Sequence, residues 1–372
     1  MLTPQDDFIG HQLATTFDEV VSPDKSWMER LWWSGHPVPS GDIIFDLGLG
    51  YHPNHKVMDA FAGITVGTKQ YNIRMSRRLD DDPLTTRVGP LRISVLEGLR
   101  RHRLLLEENP SSLSFDIEFS ATMNPHREAH HSGGRNVVGG GQDLTRAQQV
   151  GRYSGWIKVA GERFNLTPKT WWGQRDHSWG LRAEMRTDET SPPLTNYPPL
   201  CWTWAATQFE DHGYGWFFVD RASTGSSYAT GEEVLPLGQE PDPDRLVTEV
   251  AHDYRWADDP LGQTLQDGEV RFTFAGGARR TLQIRALPAR YYLKAGLYGG
   301  LRGWFFGADK GPLYIEHDVW DLNDAEVRRV ARTLNDRVIE VRDGKSVGYG
   351  IIECGVSRGF PRYQSTQDYP PV

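Results

Sequence analysis

Apolar and polar residues alternate with a period of two along much of this chain, which is the pattern of strands in antiparallel sheets. In the clearest case, residues 113–120, four apolar side chains from Leu113 to Phe119 alternate with polar ones. Such alternation predicts a strand with one buried face. Further short strands are predicted at residues 43–49, 64–66, 71–75, 91–96, 155–159, 202–209, 214–219, 270–274, 281–284, 304–306, 313–319 and 347–352.

Two segments carry a helical signal instead. Residues 27–32 are compatible with a short helix, and residues 323–334 combine a capping asparagine, acidic residues in the first turn and one apolar face. Two stretches interrupt the strands. The glycine-rich residues 125–149 predict a long loop, and residues 184–200, which are rich in Pro, Ser and Thr, predict a linker.

A series of β-type patterns lies on either side of this linker. The chain of 372 residues is also longer than one hydrophobic core usually supports. The sequence therefore predicts an all-β protein of two tandem antiparallel barrel or sandwich domains with few helices, at residues 1–190 and 191–372.

Composition and charge narrow the classes of protein to which this chain can belong. The chain is 38% hydrophobic and 24% charged, with a net charge of −8, and its densest basic run, residues 100–103, is short and bracketed by glutamates, so no nucleic-acid partner is expected. No apolar run reaches membrane-spanning length and the first residues lack a signal-peptide pattern. We therefore expect a soluble, cytoplasmic protein, in which Cys201 and Cys354 are reduced thiols.

The segment richest in reactive groups is WWGQRDHSWGLR, residues 171–182, near the midpoint of the chain. Arginine and histidine between tryptophans would make an unusual solvent face and an unfavourable core, which indicates a site. If the segment is a strand, its side chains divide between two faces, with Trp171, Arg175, His177 and Trp179 on one and Trp172, Asp176 and Ser178 on the other.

The motif RDHSWGLR, residues 175–182, resembles that of the AttH-like, carotenoid 1,2-hydratase-type family of double lipocalin-like proteins. Residues 88–91 (VGPL) and 151–155 (GRYSG) are also similar to the first domain of bacterial members. The resemblance spans about residues 40–360, and RDHSWG is its specific part. It implies two calycin-like barrels with a hydrophobic pocket in or between them, and relatives that hydrate, cyclise or isomerise terpenoid or polyketide-like substrates without a redox cofactor.

By this resemblance, Asp176 and His177 are the expected catalytic residues. A carboxyl group buried among tryptophan rings has a raised pKa, which suits it to protonate an alkene or to move a proton beside a carbonyl. The alternative is a structural network in which Arg175 or Arg182 pairs with Asp176 and the tryptophans pack the joint between the domains.

A second candidate lies in the predicted strand at residues 313–319. Alternation places Tyr314 and Glu316 on one face and His317, with apolar neighbours, on the other. If the polar face points inward, Tyr314 and Glu316 line a cavity. Strands with one apolar face usually bury that face, which favours His317 as a core histidine.

Cofactor and metal motifs are weak. His126, His130 and His131 could suggest a metal site, but in a glycine-rich loop no helix holds them in ligand geometry, which favours a mobile polar flap. The glycine clusters follow no strand–helix pattern for a dinucleotide, and no nucleophile-elbow motif occurs. We therefore expect no cofactor and no metal.

The sequence thus predicts a cofactor-independent lyase or isomerase that hydrates, dehydrates, isomerises or cyclises a hydrophobic terpenoid, steroid or polyketide-like molecule. Asp176, His177 and Glu316 would handle protons and Arg175 would hold charge. The side chains expected to shape the pocket are Trp172, Trp179, Trp202, Trp204 and Tyr314. The alternative is a non-catalytic carrier of lipids or terpenoids. A homodimer is compatible with both.

Overall fold

The computed structural model describes residue 7 and residues 11–80, 82–129, 142–182, 199–222, 225–259, 262–331 and 334–363. These residues form two antiparallel sheets, of 13 and eight strands, each of which curls into a nearly closed barrel. The prediction of an all-β fold with two barrels is therefore confirmed. No helix among the described residues is long and apolar enough to cross a membrane.

The strands before the interruption at 183–198 all belong to the first sheet. They are β1 (Trp27–Pro37), β2 (Ile43–His52), β3 (Val57–Val66), β4 (Lys69–Arg78), β5 (Arg87–Val88), β6 (Leu91–Glu97), β7 (Arg101–Leu106), β8 (Leu113–Ala121), β9 (His126–Arg127), β10 (Gln142–Val159), β11 (Glu162–Leu166) and β12 (Trp171–Arg182).

The later strands follow in chain order, with one short helix and a single-turn 3-10 helix at Leu293–Gly296. They are β13 (Leu200–Gln208), β14 (Gly213–Arg221), β15 (Gly225–Val234), β16 (Val247–Asp259), β17 (Gly262–Phe274), β18 (Arg279–Tyr292), β19 (Leu313–Asp321), helix α1 (Ala325–Ala331), β20 (Asn335–Asp343) and β21 (Ser346–Val356).

One strand joins the sheet of the other half. The first sheet runs β19-β4-β3-β2-β1-β12-β10-β8-β7-β6-β5 and the second runs β15-β14-β13-β21-β20-β18-β17-β16. Strand β19 therefore follows six strands of the second sheet in sequence but pairs with β4 in the first, from Leu313↔Arg77 to Asp321↔Lys69. The division into domains at residue 190 stays a prediction, since β19 belongs to the second half only by its position in the chain.

Apolar side chains form three buried clusters. One contains Trp33 and fills the first barrel, and another contains Trp216 and fills the second. The third draws residues from both sheets, among them Trp32 of β1 and Trp204 of β13, whose rings meet edge to face with centroids 5.6 Å apart. This aromatic layer holds the two barrels together, because aromatic rings bury large areas when they pack.

Two local predictions are wrong. Residues 27–32 belong to β1 rather than a helix, because β2 and β12 bond to β1 on both sides and this pairing outweighs the weak helical preference. Residues 304–306 are not a strand: Trp304 makes only an isolated bridge to Leu301, in a chain of turns. The helix expected at 323–334 is present but shorter, at Ala325–Ala331.

The predicted loop at 125–149 is wrong in part. Its beginning forms β9 and its end forms the first residues of β10, and these two strands pair at Ala147↔Arg127 and Gln148↔His126. Residues 130–141 lie outside the described residues, and so do residues 184–198 of the linker predicted at 184–200. The expected hairpin of β13 and β14 is confirmed.

Candidate functional site

The RDHSWG segment lies in β12, at the centre of the first sheet, with β1 on one side and β10 on the other. Successive side chains of a strand point to opposite faces. Asp176 therefore faces the layer between the barrels, whereas His177 faces the first barrel. The structure does not bring these two side chains together on one face.

Arg175, His177 and Trp179 occupy the first-barrel side of β12. Nε of Arg175 donates to Oε1 of Gln149 at 3.0 Å, and burial lowers the pKa of Arg175 to about 10. Nε2 of His177 lies 2.6 Å from Oε1 of Glu29, and its ring packs against that of Trp179 at 4.9 Å. Trp179 is 40% exposed, so this group lies at the rim of the barrel, away from the aromatic layer.

Asp176 points between the barrels, where its side chain is 15% exposed. Its Oδ2 lies 3.5 Å from Nε of Arg146, and Arg182 and Arg30 act on it from further away. Burial raises the pKa of Asp176, against the opposing attraction of Arg146. The ion-pair partner of Asp176 is thus Arg146 on β10, not Arg175 or Arg182, which the structural alternative had named.

Several polar side chains beside Asp176 bond to the carboxylate of Glu128. It is buried and accepts hydrogen bonds from Nε2 of Gln148 at 2.6 Å and from Nε1 of Trp204 at 2.7 Å. Nη1 of Arg146 adds contacts to both carboxylate oxygens at 3.4 and 3.5 Å. Arg146 therefore lies between two carboxylates, and Trp204 has a polar partner as well as an aromatic one.

Three further carboxyl groups lie between the barrels, on Asp46 of β2, Asp336 of β20 and Glu353 of β21. Asp336 is within hydrogen-bonding reach of the other two. Two carboxyl groups can bond only when one of them holds a proton. Burial raises the pKa of Asp46 to about 8 and that of Glu353 to about 7, and it raises the pKa of Asp336 well above its usual range. We call these residues the carboxyl trio; it carries protons at neutral pH.

The carboxyl trio adjoins the Asp176 cluster. Glu353 is the register partner of Trp204, and both Arg146 and Asp176 affect its pKa. Glu353, Asp176 and Tyr298 lie deep between the barrels but keep some accessible surface. These three side chains are therefore not completely sealed from solvent.

An arginine and two aromatic rings also lie in the layer between the barrels. The guanidinium of Arg30 lies 4.0 Å from the ring centre of Tyr298 and 3.9 Å from that of Phe306. A cation held between two rings is stabilised by their π-electrons and keeps its N–H groups available at the edge. The layer between the barrels thus holds carboxyl groups with raised pKa values and arginines beside aromatic rings.

Two other predicted pocket tryptophans, Trp172 and Trp202, face the layer between the barrels. Trp172 packs edge to face on Tyr349 of β21 at 5.6 Å, with the guanidinium of Arg152 4.7 Å from its ring. Trp202 is buried in the aromatic layer. Trp172, Trp202 and Trp204 are thus brought to one side of the first sheet, and Trp179 is not.

Glu316 and Tyr314 form a separate cluster on β19. Oε1 of Glu316 accepts from Nε of the buried Arg74 at 3.1 Å, and its Oε2 accepts from the Tyr314 hydroxyl at 3.2 Å. Arg74 also donates to Asp318 at 2.5 Å and to the carbonyl oxygen of Ala295 at 3.0 Å. This ion cluster fastens the segment of residues 293–311, which packs on the outer face of the first sheet.

The expectation that β19 buries its apolar face is therefore wrong. His317 is exposed, as are its face neighbours Leu313 and Val319, while Glu316 and Trp320 point inward. The physical reason is Arg74 on the neighbouring strand, because a buried guanidinium needs paired carboxylates.

The histidines of the predicted loop give no metal site in the described structure. Nδ1 of His126 lies 2.9 Å from Oε2 of Glu232, and His130 and His131 lie outside the described residues. Across the residues described, no group of three or more His, Cys, Asp or Glu side chains could hold a metal ion.

The carboxyl trio makes stability depend on pH. Because the pKa of Asp46 is raised to about 8 in the folded protein, the native state binds more protons than the unfolded chain between about pH 4 and pH 8. The stability contribution is present below the unfolded pKa and is lost as pH rises through the folded pKa. We expect the wild type to lose at least about 1.4 kcal/mol of unfolding free energy relative to Asp46→Asn over this range.

Urea denaturation at a series of pH values measures this difference. Asp116→Asn is the matched control, because Arg103 lowers the pKa of Asp116 and its effect has the opposite sign. A wild-type-minus-Asp46→Asn difference that is equal at pH 5 and pH 8 would contradict the prediction.

Comparison with known proteins identifies the family. Residues 2–359 match the profile of DUF8625, described as a family of unknown function, and no curated protein matches the chain. A candidate AttH from Nitrosomonas europaea has a similar structure, with a TM-score of 0.54 and 14% identity over 88% of this chain and 92% of its own.

Two further solved structures resemble this chain, with lower TM-scores. Kievitone hydratase from Nectria haematococca has a TM-score of 0.41 and 13% identity over 88% of this chain and 89% of its own. CghA with Sch210972 has a TM-score of 0.48 and 10% identity over 89% of this chain and 88% of its own. The likeness to the AttH structure confirms the fold that RDHSWG implied. The chain belongs to the DUF8625 family and has the AttH-like fold of two tandem lipocalin-like barrels.

Proposed function

We propose that this protein is a lyase or isomerase that acts on a hydrophobic small molecule between its two barrels, with its own carboxyl groups as acid and base. The observation that carries the proposal is the carboxyl trio, held with raised pKa values beside Asp176 and inside an aromatic layer. Structural ion pairs rarely need three adjoining acids, whereas an acid catalyst needs a carboxyl group that is protonated near neutral pH.

In this proposal Glu353 is the general acid, because it is the member of the trio with accessible surface. For a hydration, Glu353 gives its proton to one alkene carbon and water adds its oxygen to the other. Asp176 accepts the proton that the added water loses. Asp336 returns a proton to Glu353, and the proton that Asp176 releases to water restores Asp336, so all three groups end in their starting states. The tryptophan rings of the layer stabilise the positive charge that develops on carbon.

The remaining candidates have supporting roles in this proposal. Arg175 and His177 face the first barrel and hold β12 in place. Glu316 and Tyr314 fasten residues 293–311, which carry Tyr298 and Phe306 into the wall of the site. The aromatic wall suits a terpenoid, steroid or polyketide-like substrate, and we place the reaction in the cytoplasm without a cofactor.

Native mass spectrometry of the purified protein, followed by incubation of the bound molecule in H2(18)O and D2O, tests this function. An enzyme of this type incorporates heavy oxygen or deuterium into its ligand, or converts it into an isomer of equal mass. Recovery of the ligand unlabelled and unrearranged, with binding intact, would contradict the proposal and favour a carrier.

Asp176→Asn is expected to lower turnover about 10- to 100-fold, because the proton acceptor is lost. Thermal stability should change little, since Arg146 keeps Glu128 as its partner. His177→Gln is the control on the opposite face of β12 and should retain turnover. If Asp176→Asn instead destabilises the protein strongly while ligand binding persists, Asp176 joins the barrels and does not take part in chemistry.

A further inference from the structure

A cleft opens where β16, β17, β18, β20 and α1 meet, with a volume of about 580 Å3, which is enough for a small organic molecule. Its lining includes Leu265 of the second-barrel core. Arg337, also in the lining, is on the same face of β20 as the core residues Ile339 and Val341. The cleft is therefore the mouth of the second barrel, on a different side of β20 from the carboxyl trio.

Two arginines stand directly opposite each other in this mouth. Arg290 of β18 and Arg337 of β20 are register partners, and like charges at opposed positions of an antiparallel pair are destabilising. Burial lowers the pKa of Arg337 to about 10, and Arg290 adds to this effect. The fold therefore maintains an unfavourable pair of cations at this position.

Protein partners satisfy this pair only in part. Nε of Arg337 donates to the carbonyl oxygen of Leu287 at 3.1 Å, but its buried Nη1 has no hydrogen-bond partner among the described residues. Nη1 of Arg290 makes a long bond to Oγ1 of Thr264 at 3.4 Å. A buried guanidinium N–H without an acceptor is costly. Nη1 itself is closed to solvent, but Arg337 is partly exposed and lines the cleft, so an anion in the cleft would offset its charge.

The other charged residues that line the cleft are Arg255, Arg328 and Asp267. Arg255 and Arg328 bring the number of guanidinium groups to four, and the one acid among the described lining residues, Asp267, is paired with Arg255. Arginines thus outnumber acids among the described lining residues of this cleft, although the net charge of the protein is −8.

We propose that the arginine cleft (Arg255, Arg290, Arg328 and Arg337) binds a small organic anion through a carboxylate or phosphate group. The planar guanidinium fork matches the oxygens of both groups and can bind them through two parallel hydrogen bonds. Leu265 provides an apolar wall for the carbon part of the ligand. This site is independent of the chemistry proposed between the barrels.

Isothermal titration of the full-length protein with inorganic phosphate and, separately, with succinate tests the site and distinguishes the two kinds of anion. We expect at least one probe to bind, and Arg337→Gln to weaken it about 10- to 100-fold, the value of one hydrogen bond between charged groups. Arg279→Gln is the matched control, since it removes one exposed charge from β18 outside the cleft and should leave binding unchanged.

Thermal unfolding without anion gives a second readout. Because Arg337→Gln removes a repulsion, this variant should unfold at the wild-type temperature or above it, and added anion should raise the unfolding temperature of the wild type more than that of the variant. The site is disproved if neither probe binds at about 10 mM, if Arg337→Gln and Arg279→Gln weaken binding equally, or if Arg337→Gln alone lowers the unfolding temperature markedly.

Discussion

Glu353→Gln is expected to lower turnover about a thousandfold and to change the free energy of unfolding by less than about 1 kcal/mol. The amide has nearly the same shape as the acid and can still bond to Asp336, but it cannot give up a proton. Since burial raises the pKa of Glu353 to about 7, the wild-type rate should also fall as pH rises through neutrality, when the acid form is lost. Steady-state kinetics on the ligand found by mass spectrometry measures both effects.

Glu118→Gln is the matched control for this result. Glu118 lies on the outer surface of the first barrel, where it pairs with Arg101, so the same chemical change should leave turnover and its pH profile unaltered. If Glu353→Gln keeps wild-type turnover, or if it loses turnover only together with the folded state, Glu353 is not the acid.

Arg74→Met is expected to cost about 3–5 kcal/mol of unfolding free energy. The Arg74 side chain is 0% exposed and holds two carboxylates, those of Glu316 and Asp318. Removing the cation leaves both acids partly buried without their main partner, and it releases the carbonyl oxygen of Ala295. Urea denaturation followed by tryptophan fluorescence measures the loss.

The chain offers a close control for this prediction. Arg302 lies 3.9 and 3.7 Å from the same carboxylates of Glu316 and Asp318, but its side chain is 69% exposed. Arg302→Met should therefore cost less than about 1 kcal/mol, as exposed ion pairs do. Equal losses in the two variants would show that burial of Arg74 is not the source of its effect.

The local pattern of apolar and polar residues was sufficient to predict several strands and part of the candidate site. Strict alternation predicted β8, and turn residues with aromatic flanks predicted the hairpin of β13 and β14. Alternation also placed Asp176 and His177 on opposite faces of β12. It could not rank the two faces of β19, since the deciding residue, Arg74, lies on a strand more than 200 positions away in sequence.

The carboxyl trio also could not be predicted from the local sequence pattern. Asp46 and Glu353 each interrupt an apolar run, IIFDLGL and IIECGV, and a lone acid in such a strand is a signal that could have been used. It would not have indicated that the two side chains meet Asp336, or that Glu128 bonds to Trp204. Those contacts depend on how two sheets pack.

The sequence by itself determined the all-β class, the two-barrel fold through RDHSWG, and which β12 side chains share a face, because these follow from a period of two and a contiguous motif. Only the tertiary structure decided which acids share a proton, which arginines oppose each other, and which face of β19 is buried. Ionisation depends on the charges and water around a group, and those neighbours come from distant parts of the chain.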